Sequence, residues 1–181
     1  MNIPALLKKL IARKDLTEAE AFEAVTGILS GEFTEGQIGG FLATLAAKGE
    51  TVEEIAAGAR AMRAAATRIQ SLAPNTLDTV GTGGDGGMTF NISTTVAFVA
   101  AGAGAVVAKH GNRASSGKSG SADCLECLGL NLAAAPEVME QALNEIGITF
   151  MFAPTFHKAM RFAGPVRKQM GVRTLFNLLG P

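Results

Sequence analysis

The sequence predicts an α/β protein whose parallel sheet is preceded by a small N-terminal α-helical domain. Three observations carry this. Helix-start signals follow one another through the first 70 residues. Beyond Pro74, short β-like runs alternate with helical runs, the pattern of strand–helix–strand units. Gly, Ser and Thr cluster where predicted strands hand over to helices, the end at which α/β sheets hold ligands.

A first helix is expected over roughly 4–13. Three further starts read "TEAE" at Thr17, "TEGQ" at Thr34 and "TVEE" at Thr51. Each places Thr at an N-cap with Glu or Gln three residues later, a capping box. The starts are spaced by 17 residues, but the segments are otherwise unlike, so they read as consecutive helices and not as a repeat. Gly31 and Gly49 stand where two of the helices should stop. The helix "EGQIGGFLATLAAK" carries Gly36, Gly39, Gly40, Ala43 and Ala47, a small-residue face that admits close packing within the chain or against a second copy.

"SLAPNTLD" breaks the helical pattern and reads as a linker. After it, "LDTV", "AVVAKH" and "ITFMFAP" read as strands, and "STTVAFVAAGA", "SGSADCLECLG" and "PEVMEQALNEIG" as helices. From Pro154 the chain is helical but broken, basic, and without any acidic residue. The expected divisions are a helical domain over 1–72, an α/β domain over 73–153, and helices over 154–181 returning toward the helical domain.

Composition narrows the function. Hydrophobic residues make up 48% and charged residues 18%, enough for a core. The formal net charge is zero, which argues against a broad electrostatic surface for nucleic acid or anionic membrane. No run of 18 apolar residues predicts a membrane span, and "MNIPALLKKLIARKD" lacks the apolar core and cleavage site of a signal peptide. Two cysteines fit a reducing compartment, so a cytoplasmic location is expected. Cys124 and Cys127 form C-x-x-C on a predicted helix; with only two histidines in the chain, buried small hydrophobes are expected, not a zinc site.

Five of the seven residues from Gly81 to Gly87 are glycine. Gly81 to Gly86 matches G-x-G-x-x-G after a predicted strand, but the helical pattern opens only near Ser93 and no acidic residue occurs between Asp85 and Asp123. Both failures exclude a dinucleotide fingerprint. Asn112 to Ser119 approaches a P-loop, but Asn112 stands where the first glycine must be.

Taken together the two loops make better sense. In a parallel sheet their tips lie side by side. Ser93, Thr94 and Thr95 open one helix, Ser119 and Ser121 the next, and helix N-termini favour anions. Lys109 and Arg113 add positive charge; Asn91 and Asn112 add amide donors. Asp85, a carboxylate beside an anion site, suits sugar hydroxyls or backbone N–H groups. A phosphosugar with more than one phosphate would use all of these groups, although ordinary turn glycines and caps would also account for part of the pattern.

"GTGGDG", "NIST", "KHGNRASSGKSGSADCLECLG" and "FAPTFHKAMRFAGPVRKQMGVRTLFNLLGP" resemble the anthranilate phosphoribosyltransferase family of the tryptophan pathway, and the resemblance runs through the whole chain. It implies a helical domain and an α/β domain of the nucleoside phosphorylase/phosphoribosyltransferase kind, with the active site in a cleft between them. It implies transfer of the 5-phosphoribosyl group of PRPP to the amino group of anthranilate, with release of pyrophosphate and use of magnesium.

Carried onto this sequence, the resemblance assigns PRPP binding to Gly81, Gly84, Asp85, Thr89, Asn91, Ile92, Ser93 and Thr94. It adds a loop closing over PRPP with Lys109, Asn112, Ser115, Ser116 and Gly117, together with Ser121. Ser93 would ligate magnesium. Anthranilate would meet Gly81, His110, Asn112 and Arg167, the guanidinium gripping its carboxylate. No acid–base pair is implied. A homodimer through the helical domain is implied; nucleic acid and membrane are not expected partners. His157, among aromatics, reads as packing or capping.

Members of that family are nearly twice as long and place a second magnesium site on an Asp-Glu pair, a dipeptide this chain lacks. A fragment truncated at the C-terminus, inactive by itself, is therefore expected. Two alternatives share the fold: a pyrimidine-nucleoside phosphorylase-like enzyme, and a relative that binds nucleic acid without transfer chemistry. Asp85 after GTGG and "NRASS" after Lys109-His110-Gly111 favour the phosphoribosyltransferase reading over the phosphorylase, and the intact GTGGD loop with zero net charge favours it over the nucleic-acid relative.

Overall fold

The computed structural model describes residues 2–81, 90–114 and 119–180. The chain divides into two compact units, one formed by Met1–Ala66 with His157–Gly180 and the other by Thr67–Phe156.

The first unit is a helical bundle. Helix α1 (Ile3–Ile11) begins with Asn2 accepting the Ala5 N–H and carries Pro4 in its first turn, where no donor is needed. It ends two residues earlier than the periodicity suggests. Arg13 turns left-handed at φ 55°, with Arg13 N–H donating to Leu10 and Lys14 N–H to Lys9. Helices α2 (Glu18–Ser30), α3 (Glu35–Lys48) and α4 (Val52–Ala65) each open on the expected box, formed by Thr17 with Glu20, Thr34 with Gln37 and Thr51 with Glu54. Gly31 (φ 78°) and Gly49 (φ 92°) close α2 and α3.

Ile28, Phe41, Leu42, Leu45 and Leu10 are fully buried, and Val166, Leu175 and Phe176 from the last stretch of chain join the same core. Those three lie on α9 (Gly164–Met170) and α10 (Leu175–Leu178), which follow a 3-10 turn, Lys158–Arg161. His157 supplies the carbonyl that accepts the Met160 N–H of that turn. The small face of α3 serves internal packing at two positions: a Cβ on Gly39 would sit 3.5 Å from Val166 and one on Gly40 3.7 Å from Leu7, while Gly36 faces no atom within 4 Å.

Among the described residues the second unit is built on two parallel strands, β1 (Val107–Gly111) and β2 (Ile148–Phe152), in register from Val107 opposite Ile148 to Gly111 opposite Phe152. Helix α5 (Ile92–Gly102) precedes β1; α6 (Ser121–Cys127) and α7 (Pro136–Ile146) lie between the strands; α8 (Ala153–Phe156) follows β2. Gly147, at φ 74°, turns α7 into β2. Ala122, Leu125, Leu132 and Phe150 form the unit's buried cluster.

The expected linker is stitched to α7. Gln70 N–H donates to Glu140, Leu72 N–H donates to Asn144 Oδ1, and Asn144 Nδ2 donates back to the Gln70 carbonyl.

Two expectations are corrected. "LDTV" forms no strand among the described residues; it contributes one parallel bridge, Leu77 to Val107. Side chains take the place of a ladder beyond it, because Asp78 accepts the His110 N–H and the Thr79 carbonyl accepts from Lys109. Nor are the cysteines buried: Cys124 is half-exposed and Cys127 exposed. Helix α6 turns Ala122 and Leu125 inward. At about 100° per residue, Cys127 falls on the far side from Leu125.

Candidate anion site at the strand ends

Strand β1 alternates, and Val107 and Lys109 share its buried face. Lys109 lies on the strand read from "AVVAKH", whereas the resemblance set it at the start of the closing loop. It is only 3% exposed. Its ammonium donates to the Thr79 carbonyl (3.0 Å) and to Ser93 Oγ (3.2 Å), and Thr79 Oγ1 donates to the Ser93 carbonyl (2.8 Å). One residue of β1 therefore ties the 77–80 segment to the first turn of α5.

Lys109 forms no ion pair among the described residues. Burial lowers its pKa, and the Asp78 carboxylate opposes the shift without cancelling it. A desolvated cation beside a helix N-terminus is a strong attractor for an anion. Because an ammonium can only donate, Ser93 Oγ is the acceptor in that pair, which leaves its own proton for another oxygen. Gly81 closes in on the same group: a Cβ there would stand 3.6 Å from Ser93 Oγ. Thr94 is 3% exposed, and its hydroxyl has no hydrogen bond among the described residues.

The second loop meets the first. Asn91 opens α5 without capping it; instead its Nδ2 reaches Ser119 Oγ (3.3 Å) and the Gly120 carbonyl (3.4 Å). The Asn112 carbonyl accepts from the Ala122 N–H (3.2 Å) and from Ser121 Oγ (3.3 Å). The structure thus brings together Gly81, Asn91, Ser93, Lys109, Asn112 and Ser121, with Ile92 and Thr94 on the same first turn of α5. His110 lies on β1 next to Lys109; burial lowers its pKa, Asp78 opposing and the Lys109 charge adding to the shift. Gly84, Asp85, Thr89, Ser115, Ser116 and Gly117 lie outside the described residues.

One charge falls elsewhere than expected. Arg113 turns from the site toward α6, bonding both oxygens of Glu126 (2.7 and 2.9 Å) and Asp123 Oδ1 (3.0 Å). Its pKa is raised, chiefly by Glu126 and then by Asp123. The N-terminus of α6 is likewise engaged, since Gly120 N–H donates to Asp123 (2.8 Å) and Ala122 N–H to Asn112. Asp123 escaped the sequence reading, although an acid three residues after a glycine N-cap was a usable signal. Asp78, whose carboxylate stands in for a strand carbonyl, had no such signal.

Arg167 belongs to the helical unit, on α9. It is half-buried, its guanidinium 5.5 Å from the Phe176 ring centroid, and its Nε has no hydrogen bond among the described residues. Burial lowers its pKa. Among the described residues no group of three or more His, Cys, Asp or Glu side chains could hold a metal ion, and no helix is long and apolar enough to cross a membrane.

The chain thus combines a helical bundle with an α/β unit in which a buried lysine stands beside the first turn of α5. The signature described as "Glycosyl transferase family, a/b domain" matches residues 73–181, and that described as "Glycosyl transferase family, helical bundle domain" matches residues 4–66. The chain belongs to this glycosyl transferase family.

Its relatives agree with the resemblance drawn from the motifs. It is 61% identical over 175 residues to an anthranilate phosphoribosyltransferase of Desulfosudis oleivorans, covering 97% of this chain and 52% of that one. It is 57% identical over 181 residues to that of Chloroflexus aurantiacus, covering 100% and 53%. The crystal structure of anthranilate phosphoribosyltransferase from Thermus thermophilus superposes with a TM-score of 0.92 at 49% identity, over all of this chain and 54% of that one. The Saccharomyces cerevisiae enzyme in complex with PRPP and Mg gives 0.89 at 31% identity, over 99% and 54%. The chain spans about half the length of the curated relatives it matches.

Proposed function

We propose that this chain carries the PRPP-binding wall of an enzyme that transfers the 5-phosphoribosyl group from PRPP to the amino group of anthranilate. The observation that carries the proposal is Lys109, a buried cation without an ion pair among the described residues, set beside Ser93 at the first turn of α5. Breaking the bond from ribose C1 to pyrophosphate builds negative charge on the leaving group. The Lys109 ammonium, the Ser93 proton and the Asn112 amide stabilise that charge, while Asn91 holds Ser119 and Gly120 in place. The close approach of Gly81 leaves space beside Ser93. The attacking amine needs positioning more than deprotonation, which fits the absence of a nucleophile–base pair in the proposed set. The anthranilate contacts that the resemblance implies, Arg167 in one unit and His110 in the other, belong to the same proposal and rest on the resemblance.

The donor set of the described residues fits a magnesium ion that arrives on the diphosphate. Ser93 offers one neutral oxygen, and magnesium is commonly held by substrate phosphates with few protein ligands. When bound, the ion supplies further charge neutralisation at the leaving group. One magnesium site within these residues, a homodimer through the helical unit and a cytoplasmic location belong to the same proposal and rest on the resemblance.

The test is calorimetric titration of the 181-residue chain with PRPP and with pyrophosphate, each in the presence of magnesium. Saturable binding that Lys109→Met weakens by about tenfold or more is expected. Absence of binding by the unaltered chain refutes the reading. The chain by itself is expected to give no PRPP-dependent loss of anthranilate fluorescence; clear turnover would overturn that part.

A further inference from the structure

We propose that Asp123 is a positioning residue of the phosphosugar site: one carboxylate clasps both limbs of the chain between β1 and α6 and thereby sets Asn112, Ser119 and Ser121. The inference rests on the binding reading above. Asp123 Oδ2 accepts the Ala114 N–H (2.9 Å) on the outgoing limb and the Gly120 N–H (2.8 Å) on the returning one. Its other oxygen accepts from Arg113 (3.0 Å), which Glu126 holds from one turn further along α6. A single side chain on a helix therefore fixes three groups on two limbs.

The limbs touch backbone to backbone at this level. A Cβ on Gly120 would meet the Ala114 nitrogen, and would lie 2.6 Å from the Arg113 carbonyl carbon and 2.7 Å from the Asn112 oxygen. Only glycine permits that approach. A Cβ on Gly111 would meet Ser121 Oγ. Closing the limbs at this point delivers the Asn112 carbonyl to Ser121 and the Gly120 carbonyl to Asn91, the contacts that join the two halves of the site. Asp123 itself points into this clasp, so it acts on ligand only through the residues it holds.

The experiment compares the unaltered chain with Asp123→Ala and Asp123→Asn. Pyrophosphate with magnesium is titrated into each, thermal unfolding is followed by circular dichroism, and hydrogen exchange is read at the Ala114 and Gly120 amides. Asp123→Ala is expected to weaken pyrophosphate binding by about tenfold or more with an unfolding midpoint close to that of the unaltered chain. Both amides should exchange faster. Asp123→Asn keeps one acceptor oxygen and should fall between. Equal affinity in all three proteins overturns the role of Asp123 and leaves the binding reading standing. A weakened affinity that tracks a lowered unfolding midpoint, with unchanged exchange at the two amides, also overturns it. No binding by the unaltered chain overturns the binding reading, and the positioning role with it.

Discussion

Replacing Glu54 with alanine should cost the helical unit about 3–5 kcal/mol, the range for breaking a buried ion pair from one side. Glu54 caps α4 and also joins it to two other elements. Its side chain is fully buried. It accepts the Thr51 N–H (2.8 Å), the Leu16 N–H (2.8 Å) from the stretch between α1 and α2, and the Lys48 ammonium (3.0 Å) at the end of α3. Alanine strands the two amides and removes one of the two carboxylates that Lys48 pairs with. Each orphaned amide costs about 1–3 kcal/mol if water stays out, so the two amides alone approach the lower bound. Lys48, whose side chain is 4% exposed, keeps only Asp15 as a carboxylate partner, and that residue is largely in solvent.

Glu54→Gln should cost less, because one oxygen still accepts. The double variant Lys48→Met, Glu54→Leu should recover part of the loss, since it removes the buried ammonium that has lost its buried carboxylate. Urea unfolding followed by circular dichroism measures the change. Native-state hydrogen exchange at the buried amides of α2 and α3 assigns it to the helical unit. A loss below about 1 kcal/mol for Glu54→Ala would refute the reasoning, because it would mean that water replaces the carboxylate at no cost.

Lys109→Met should leave the unliganded α/β unit at least as stable as before, by thermal unfolding, while pyrophosphate binding falls; a large drop in midpoint would show that the lysine is mainly structural. Gly120→Ala should destabilise the same unit by about 1–3 kcal/mol and weaken pyrophosphate binding, since the new methyl meets backbone that cannot swing aside; titration and thermal unfolding check both. The Glu20 carboxyl is held below its usual 4.5 first by Lys9, then by the Thr17 amide. A depressed carboxyl stabilises above its unfolded pKa and loses that contribution as pH falls through the folded value. Urea midpoints should therefore drop on acidification below about pH 4.5, and less so in Lys9→Met.

The parts of this protein written in local sequence were legible. Thr17, Thr34 and Thr51 reach acceptors and donors three residues away, and such short-range chemistry survives any tertiary setting. β1 and β2 were visible as apolar runs because sheet burial selects β-branched and aromatic residues. The residue types of the proposed anion site were legible in the sequence, and the structure brings Gly81, Ser93 and Lys109 together. Local pattern failed where a long-range partner decides. "LDTV" reads as a strand, yet Asp78 and Thr79 give their groups to β1. Cys124 and Cys127 face outward because α6 turns Ala122 and Leu125 in.

The sequence by itself therefore determined the fold class, the starts of α2, α3 and α4 and the residue types available around the end of β1 and the start of α5. The tertiary structure alone decided which charges stand beside those residues. It buries Lys109 against Ser93 without an ion pair among the described residues, and it turns Arg113 away onto Glu126 and Asp123. The physical reason is that a lysine's or arginine's role depends on its desolvation and on the nearest carboxylate. Both are set by contacts between residues 10 to 30 positions apart in the chain.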